Sequence, residues 1–184
     1  TNEPDQLLLE NPLHVGSVLL RAGWQQKIGG FDLSLRSYED WDYWLRLAMA
    51  GARMKSISQP VSYYRFHGDQ MTRNSRQMTD ASFQVLKKVF SQQNLPTGWQ
   101  AAKEKAYSRA NLRAAANAYL QQDFEMGIFF LAEAVNLQPQ LLEDAGRELL
   151  SIILGWTELP KTQYPFDFLI NIFAHLPTEV DEVV

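Results

Sequence analysis

The chain has 184 residues, 46% of them hydrophobic and 21% charged, with a formal net charge of −4; this suits one ordinary domain or two small ones with a buried core and disfavours broad nucleic-acid binding. Cysteine is absent, which excludes disulfides and Cys-ligated zinc or iron–sulfur centres and asks for no oxidising compartment, so cytoplasmic residence is expected. No apolar run approaches the roughly 20 residues that cross a bilayer, and no charged-then-apolar signal peptide opens the chain.

The polar, acidic lead-in (Asn2, Glu3, Asp5) after Thr1 reads as the start of a fragment of a longer protein. Residues 1–76 carry 9 Lys/Arg against 8 Asp/Glu, and residues 77–184 carry 8 against 13, so the net acidity lies in the second part. Val15 to Leu20, a short run rich in Val and Leu, reads as a buried strand. Trp24 to Ile28 is a short helical or irregular segment closed by Gly29-Gly30, and Phe31 returns an aromatic to the core.

A helix follows Ser37. Ser37 can accept the backbone N–H of Asp40 while Asp40 reaches back, forming a capping box. Trp41, Trp44, Leu45 and Ala48 recur at i, i+3, i+4 and i+7 and make one apolar face. Asp42 and Arg46 can pair at i, i+4 on another, and Gly51 ends the helix at the usual glycine position. Met54 to Ile57 and Val61 to Phe66 read as two extended segments separated by Pro60, which cannot sit inside a central strand. Gly68 to Asn74 lacks periodicity and reads as a loop.

From about Met78 the pattern is helical, with Phe83, Leu86, Val89 and Phe90 on one face and a stop at Asn94-Leu95-Pro96. Trp99 to Leu120, Phe124 to Leu137, Leu141 to Leu154 and Phe166 to Leu176 give further helices. Within them Ala114-Ala115, Ala118-Tyr119, Asp123-Phe124, Leu131-Ala132, Ala134, Leu137 and Pro139 are spaced like one tetratricopeptide repeat, with Asn111 and Gly127 as departures. A single repeat is below the number that makes a solenoid, so a helical hairpin packed in a bundle is expected.

The stretch Gly29-Gly30-Phe31-Asp32, then Glu39-Asp40-Trp41-Asp42-Tyr43-Trp44-Leu45-Arg46, then Tyr64-Arg65-Phe66-His67 resembles the acceptor half of a family 2, GT-A fold glycosyltransferase. The resemblance covers roughly residues 11–74. It implies an α+β fold, predominantly α: a partial GT-A (α/β) acceptor half with a few short strands over residues 1–76. An all-helical accessory bundle follows over 77–184, with the tetratricopeptide-like hairpin near 102–139. The nucleotide-binding βα units of such a domain's first half are missing, and its Asp-x-Asp motif is not found here in a matching context.

The activity implied is inverting transfer of a sugar from a nucleotide-diphosphate sugar to an acceptor hydroxyl of a glycan or lipid-linked acceptor, as in polysaccharide biosynthesis. Asp40 would be the general base, which takes the proton from the attacking hydroxyl, and Glu39 its acidic neighbour that orients the acceptor. Both acids also suit a helix start for purely local reasons. Gly29 and Gly30 would let a sugar approach the backbone, or simply break the chain's regular structure. Trp24, Trp41 and Trp44 could stack on sugar faces, but Trp41 and Trp44 lie on the helix's apolar stripe and suit core packing better; Trp41, next to the base, is kept as the acceptor contact.

Arg65 would face the diphosphate, or be an ordinary edge-strand cation. His67 would ligate the divalent metal, Mn²⁺ or Mg²⁺, that the full-length enzyme uses by resemblance, or be a solvated loop histidine. Asp32 caps the following turn, and His14, near Asn11, lines the cleft or serves structure. The chain alone lacks the donor half, so it is expected to bind no cofactor and to be inactive by itself.

The alternative function is a helical, tetratricopeptide-like interaction module that docks a protein partner or dimerises on a non-catalytic scaffold. A cytoplasmic protein, in one variant peripheral at the inner membrane face, fits either reading. No Gly-x-x-x-x-Gly-Lys-Ser/Thr loop, His-Glu-x-x-His pair, Gly-x-Ser-x-Gly elbow or Rossmann glycine fingerprint occurs.

Overall fold

The computed structural model describes residues 4–63 and 74–143. Six α-helices order these residues: α1 (Pro4–Leu9), α2 (Ala22–Ile28), α3 (Glu39–Met49), α4 (Ser75–Phe90), α5 (Lys103–Leu120) and α6 (Phe124–Leu137). Among the described residues there is no strand. The chain divides into two compact units, Thr1–Ala106 and Tyr107–Val184. α4, which the sequence reading places in the helical accessory part, lies in the first unit.

The expected α+β architecture is therefore corrected: the described fold is all-helical, and no half of a GT-A α/β domain is present in it. Val15 to Leu20 shows why. Val15–Ser17 winds into one 3-10 turn capped by His14, whose side chain accepts from Gly16 N at 3.2 Å. Val18 after it is extended, at φ −107° and ψ 128°. Leu19 beyond it is fully exposed and Val15 half exposed. A β-rich sequence becomes a strand only with a neighbour to pair with, and none of the described segments offers one. Met54 to Ile57 and Val61 to Tyr63 are likewise irregular and exposed at Ile57, Val61 and Tyr63. Tyr64 to Phe66, the loop from Gly68 and the helices expected after Glu143 lie outside the described residues.

In the first unit α3 is the centre, and α1, α2 and α4 all pack against it. Burial on several sides explains why α3 is more than a stripe: Trp41, Tyr43, Trp44, Leu45 and Leu47 are all buried, and so is Asp42. α1 contributes the buried Leu7 and Leu8, and the carbonyl of Leu7 accepts the Trp41 indole N–H at 2.7 Å. α4 turns Ala81, Ser82, Val85, Leu86 and Val89 inward, a stripe of helical period.

The start of α3 differs from the expected capping box. Tyr38 occupies the N-cap in the left-handed region, at φ 57° and ψ 22°, and gives no side-chain cap. Ser37 is wholly buried, and its hydroxyl accepts the Gln77 side-chain amide at 2.7 Å, a bond 40 positions along the chain. Gln77 also donates to Arg36 O at 2.9 Å, so the first turn of α4 fixes the approach to α3. The other end of α3 matches expectation. Gly51, at φ +85°, donates to Ala48 O, and Ala52 donates to Leu47 O, both at 2.9 Å, the paired bonds of a Schellman stop.

In the second unit α5 and α6 share one apolar cluster. Leu112, Ala115 and Tyr119 of α5 meet Leu131, Ala134 and Val135 of α6, with Leu141 from the 3-10 turn Pro139–Leu142. Small side chains allow close approach, and Ser108 Oγ reaches across to Ala134 O at 2.9 Å. Asp123 caps α6 by accepting from Met126 N at 3.2 Å. No helix among the described residues is long and apolar enough to cross a bilayer.

Candidate functional site

Two polar constellations lie on α3, one at its first turn and one along its middle. At the first turn Asp40 is half-buried. Its Oδ1 accepts the Asn11 side-chain amide at 3.0 Å and the Trp41 backbone N–H at 2.7 Å. No described residue bonds to its Oδ2, and the side chain of Glu39 beside it, also half-buried, has no hydrogen bond or ion pair among the described residues. The structure thus holds one carboxylate by one oxygen and leaves the other oxygen open. A group so held can accept a proton from a hydroxyl brought against it.

The middle constellation is ionic and inward. Asp42, 2% exposed, receives Arg46 Nε at 2.8 Å and Lys88 Nζ at 2.7 Å. The rest of the Arg46 fork donates to Ile28 O at 2.9 Å and Gly30 O at 2.8 Å, fastening the glycine turn to α3. Lys88 also reaches Asp32 at 2.6 Å. Asp32 in turn accepts Ser34 N and Ser34 Oγ at 2.9 and 2.7 Å, the turn-capping role the sequence suggests.

The Lys88 ammonium, then the Ser34 donors, hold the Asp32 carboxyl well below the ordinary carboxylate range. Burial is the largest single influence on Lys88 and opposes its charge. The bonds and charges of Asp32 and Asp42 together outweigh it and hold Lys88 above its ordinary value. Asp42–Arg46, expected from the sequence as an i, i+4 pair on a second helix face, is paired and is also the centre of a network that joins α2, α3, α4 and the Gly29-Gly30 turn.

The remaining expected site residues separate. Trp41 is fully buried with its indole bonded to Leu7 O, so it offers no face on which a sugar can stack. Gly29, at φ +79°, is exposed and has open space where a Cβ would stand, as has Gly30. Arg65 and His67 lie outside the described residues. Among the described residues no three His, Cys, Asp or Glu side chains converge into a group that could hold a metal ion.

A cleft of about 540 Å³ opens at the far end of α3, lined by Arg46, Met49 and Ala50 with Ile28 and Ser91 to Asn94. Ala50 is ten residues from Asp40, or about 15 Å along the helix axis. The cleft and the first-turn carboxylates are separate features. Sequence reasoning passed over Asn11 and Lys88, because each acts through a partner far away in the chain: Asn11 29 positions from Asp40, and Lys88 56 positions from Asp32.

Compared with known proteins, the chain matches no family model, no curated protein and no solved structure. With the helical fold, this removes the basis for placing the chain in family 2 of the glycosyltransferases, and that assignment is withdrawn.

Proposed function

We propose that Asp40 is the general base of an inverting glycosyl transfer from a nucleotide-diphosphate sugar to an acceptor hydroxyl. The acceptor oxygen attacks the anomeric carbon, the bond from that carbon to the diphosphate breaks, and the acceptor proton passes to Oδ2 of Asp40. Glu39 beside it would orient the acceptor's other hydroxyls. The observation that supports this reading is the half-buried Asp40 carboxylate, anchored through Oδ1 and open at Oδ2.

The chemistry needs a positioned carboxylate, an acceptor and a donor, and it needs neither the α/β fold nor membership of that family. The test is release of nucleoside diphosphate from UDP-, GDP- and dTDP-sugars by the full-length gene product, with and without glycan acceptors. Asp40→Asn is expected to lower turnover about a hundredfold with the helical circular dichroism unchanged. Undiminished turnover in that folded variant would refute the assignment.

A second reading has its own observation. On α6, Phe129 and Met126 are 53% and 39% exposed, flanked by the exposed Glu125 and Glu133. An apolar strip of this kind on a tetratricopeptide-like hairpin suits a protein partner or a second copy. Light scattering on the eluting protein separates the cases: a monomer that captures no partner counts against an interaction module.

A further inference from the structure

Asn11 has no part in the chemistry read from the sequence, yet it makes the only side-chain bond to Asp40 among the described residues. We infer that Asn11 is a positioning residue for Asp40, which fixes the carboxylate's rotation so that Oδ2, and not Oδ1, is presented to the acceptor hydroxyl. The inference rests on the reading of Asp40 as a base and adds a residue to it.

The orientation of the Asn11 amide is set by its own surroundings. Its Oδ1 accepts the backbone N–H of Leu13 at 3.3 Å, so the NH₂ end must be the one that faces Asp40. The placement of Asn11 is also fixed. It lies two residues after α1, and α1 is pinned to α3 by the buried Leu7 and Leu8 and by the bond from Trp41 Nε1 to Leu7 O. The same tryptophan's backbone N–H supplies the second bond to Asp40 Oδ1. Two donors on one carboxylate oxygen leave the lone pairs of the other as the free proton acceptor. A base free to rotate about its side-chain bonds would spend part of its time with neither oxygen aligned, and loss of alignment reduces turnover without weakening donor binding.

The experiment compares Asn11→Ala, Asp40→Asn and the double variant of the full-length gene product, using UDP-, GDP- and dTDP-sugars as donors. Asn11→Ala is expected to lower kcat about tenfold and leave KM for the donor within about twofold. Added to Asp40→Asn it is expected to cause no further loss, since both act through one carboxylate. Independently of activity, the side-chain amide resonances of Asn11 in the 184-residue chain should move when Asp40→Ala removes their acceptor.

A wild-type kcat in Asn11→Ala beside a disabled Asp40→Asn would overturn the inference and leave Asp40 standing as the base. A further, additive loss in the double variant would overturn it as well, by showing that Asn11 serves structure alone. Asn11 resonances indifferent to Asp40→Ala would remove the contact itself. If Asp40→Asn turns over normally, the reading of Asp40 fails first and the role of Asn11 falls with it.

Discussion

The described parts of the two units show different physics. In the first, directed polar bonds connect elements far apart in sequence: Arg46 to Asp42, Ile28 and Gly30, Lys88 to Asp32 and Asp42, and Gln77 to Ser37. Among the described residues of the second, Leu112, Ala115, Tyr119, Leu131, Ala134, Val135 and Leu141 form one apolar cluster, and Ser108 Oγ donates to Ala134 O across the two helices. Short irregular connections need specific partners to fix them, whereas two long helices with small facing residues are fixed by packing. The first arrangement is the more brittle, because a buried charge that loses its partner costs more than a buried methyl group.

That contrast can be broken experimentally. The largest effect is expected from Asp42→Ala, which leaves Arg46 and Lys88 with one carboxylate fewer. Chemical denaturation should show a loss of about 4 kcal/mol, with faster hydrogen exchange at the α3 amides. Next is Leu131→Ala in the second unit, where about 3 kcal/mol is expected from lost burial and the cavity left behind, read from exchange at the α6 amides. If Asp42→Ala proves milder than Leu131→Ala, the network is ornamental and packing holds both units.

The smallest effect concerns pH and sharpens the same point. Asp32 sits below its ordinary 3.8, so its contribution is present above that value and is lost as pH falls through the folded-state value. Lys88 sits above its ordinary 10.5, so its contribution is complete below 10.5 and is lost as pH rises through the folded-state value. Between roughly pH 5 and 9 the first unit's stability should be flat with respect to both groups. Melting curves across this range and beyond it on both sides check this, and Lys88→Met should abolish the Asp32–Lys88 part of the fall at both ends.

Local patterns were legible in the sequence wherever the determining partner was close. The stop of α3 at Gly51, the Asp42–Arg46 pair and the course of α6 from Phe124 to Leu137 are set by residues close in the chain. Features set at long range were not. Ser37 looks like a helix cap until Gln77 takes its hydroxyl. Val15 to Leu20 and Met54 to Ile57 have strand composition, but strand formation depends on a partner that their own residues do not reveal.

At the candidate site, Glu39 and Asp40 were singled out in the sequence through the family resemblance. Asn11 was not, since nothing in an Asn-Pro-Leu triplet announces a carboxylate 29 positions later. The resemblance to a glycosyltransferase family rested on order and spacing of short motifs, and such order can be kept by a helical chain as well as by an α/β one.

The extended segment around Leu19 has a practical consequence. Arg21, at φ −71° and ψ 129°, is exposed at its end, and Arg53 and Lys55 are exposed in the irregular stretch after Gly51. Proteases bind their substrates as extended strands, so backbone without ladder bonds or burial is already in the shape they cut. Brief trypsin treatment is expected to cleave after Arg21, Arg53 and Lys55 well before Arg46 or Lys88, whose side chains are held in the ionic network. Those scissile bonds give the places at which the first unit can be nicked while α3 and its carboxylates stay assembled.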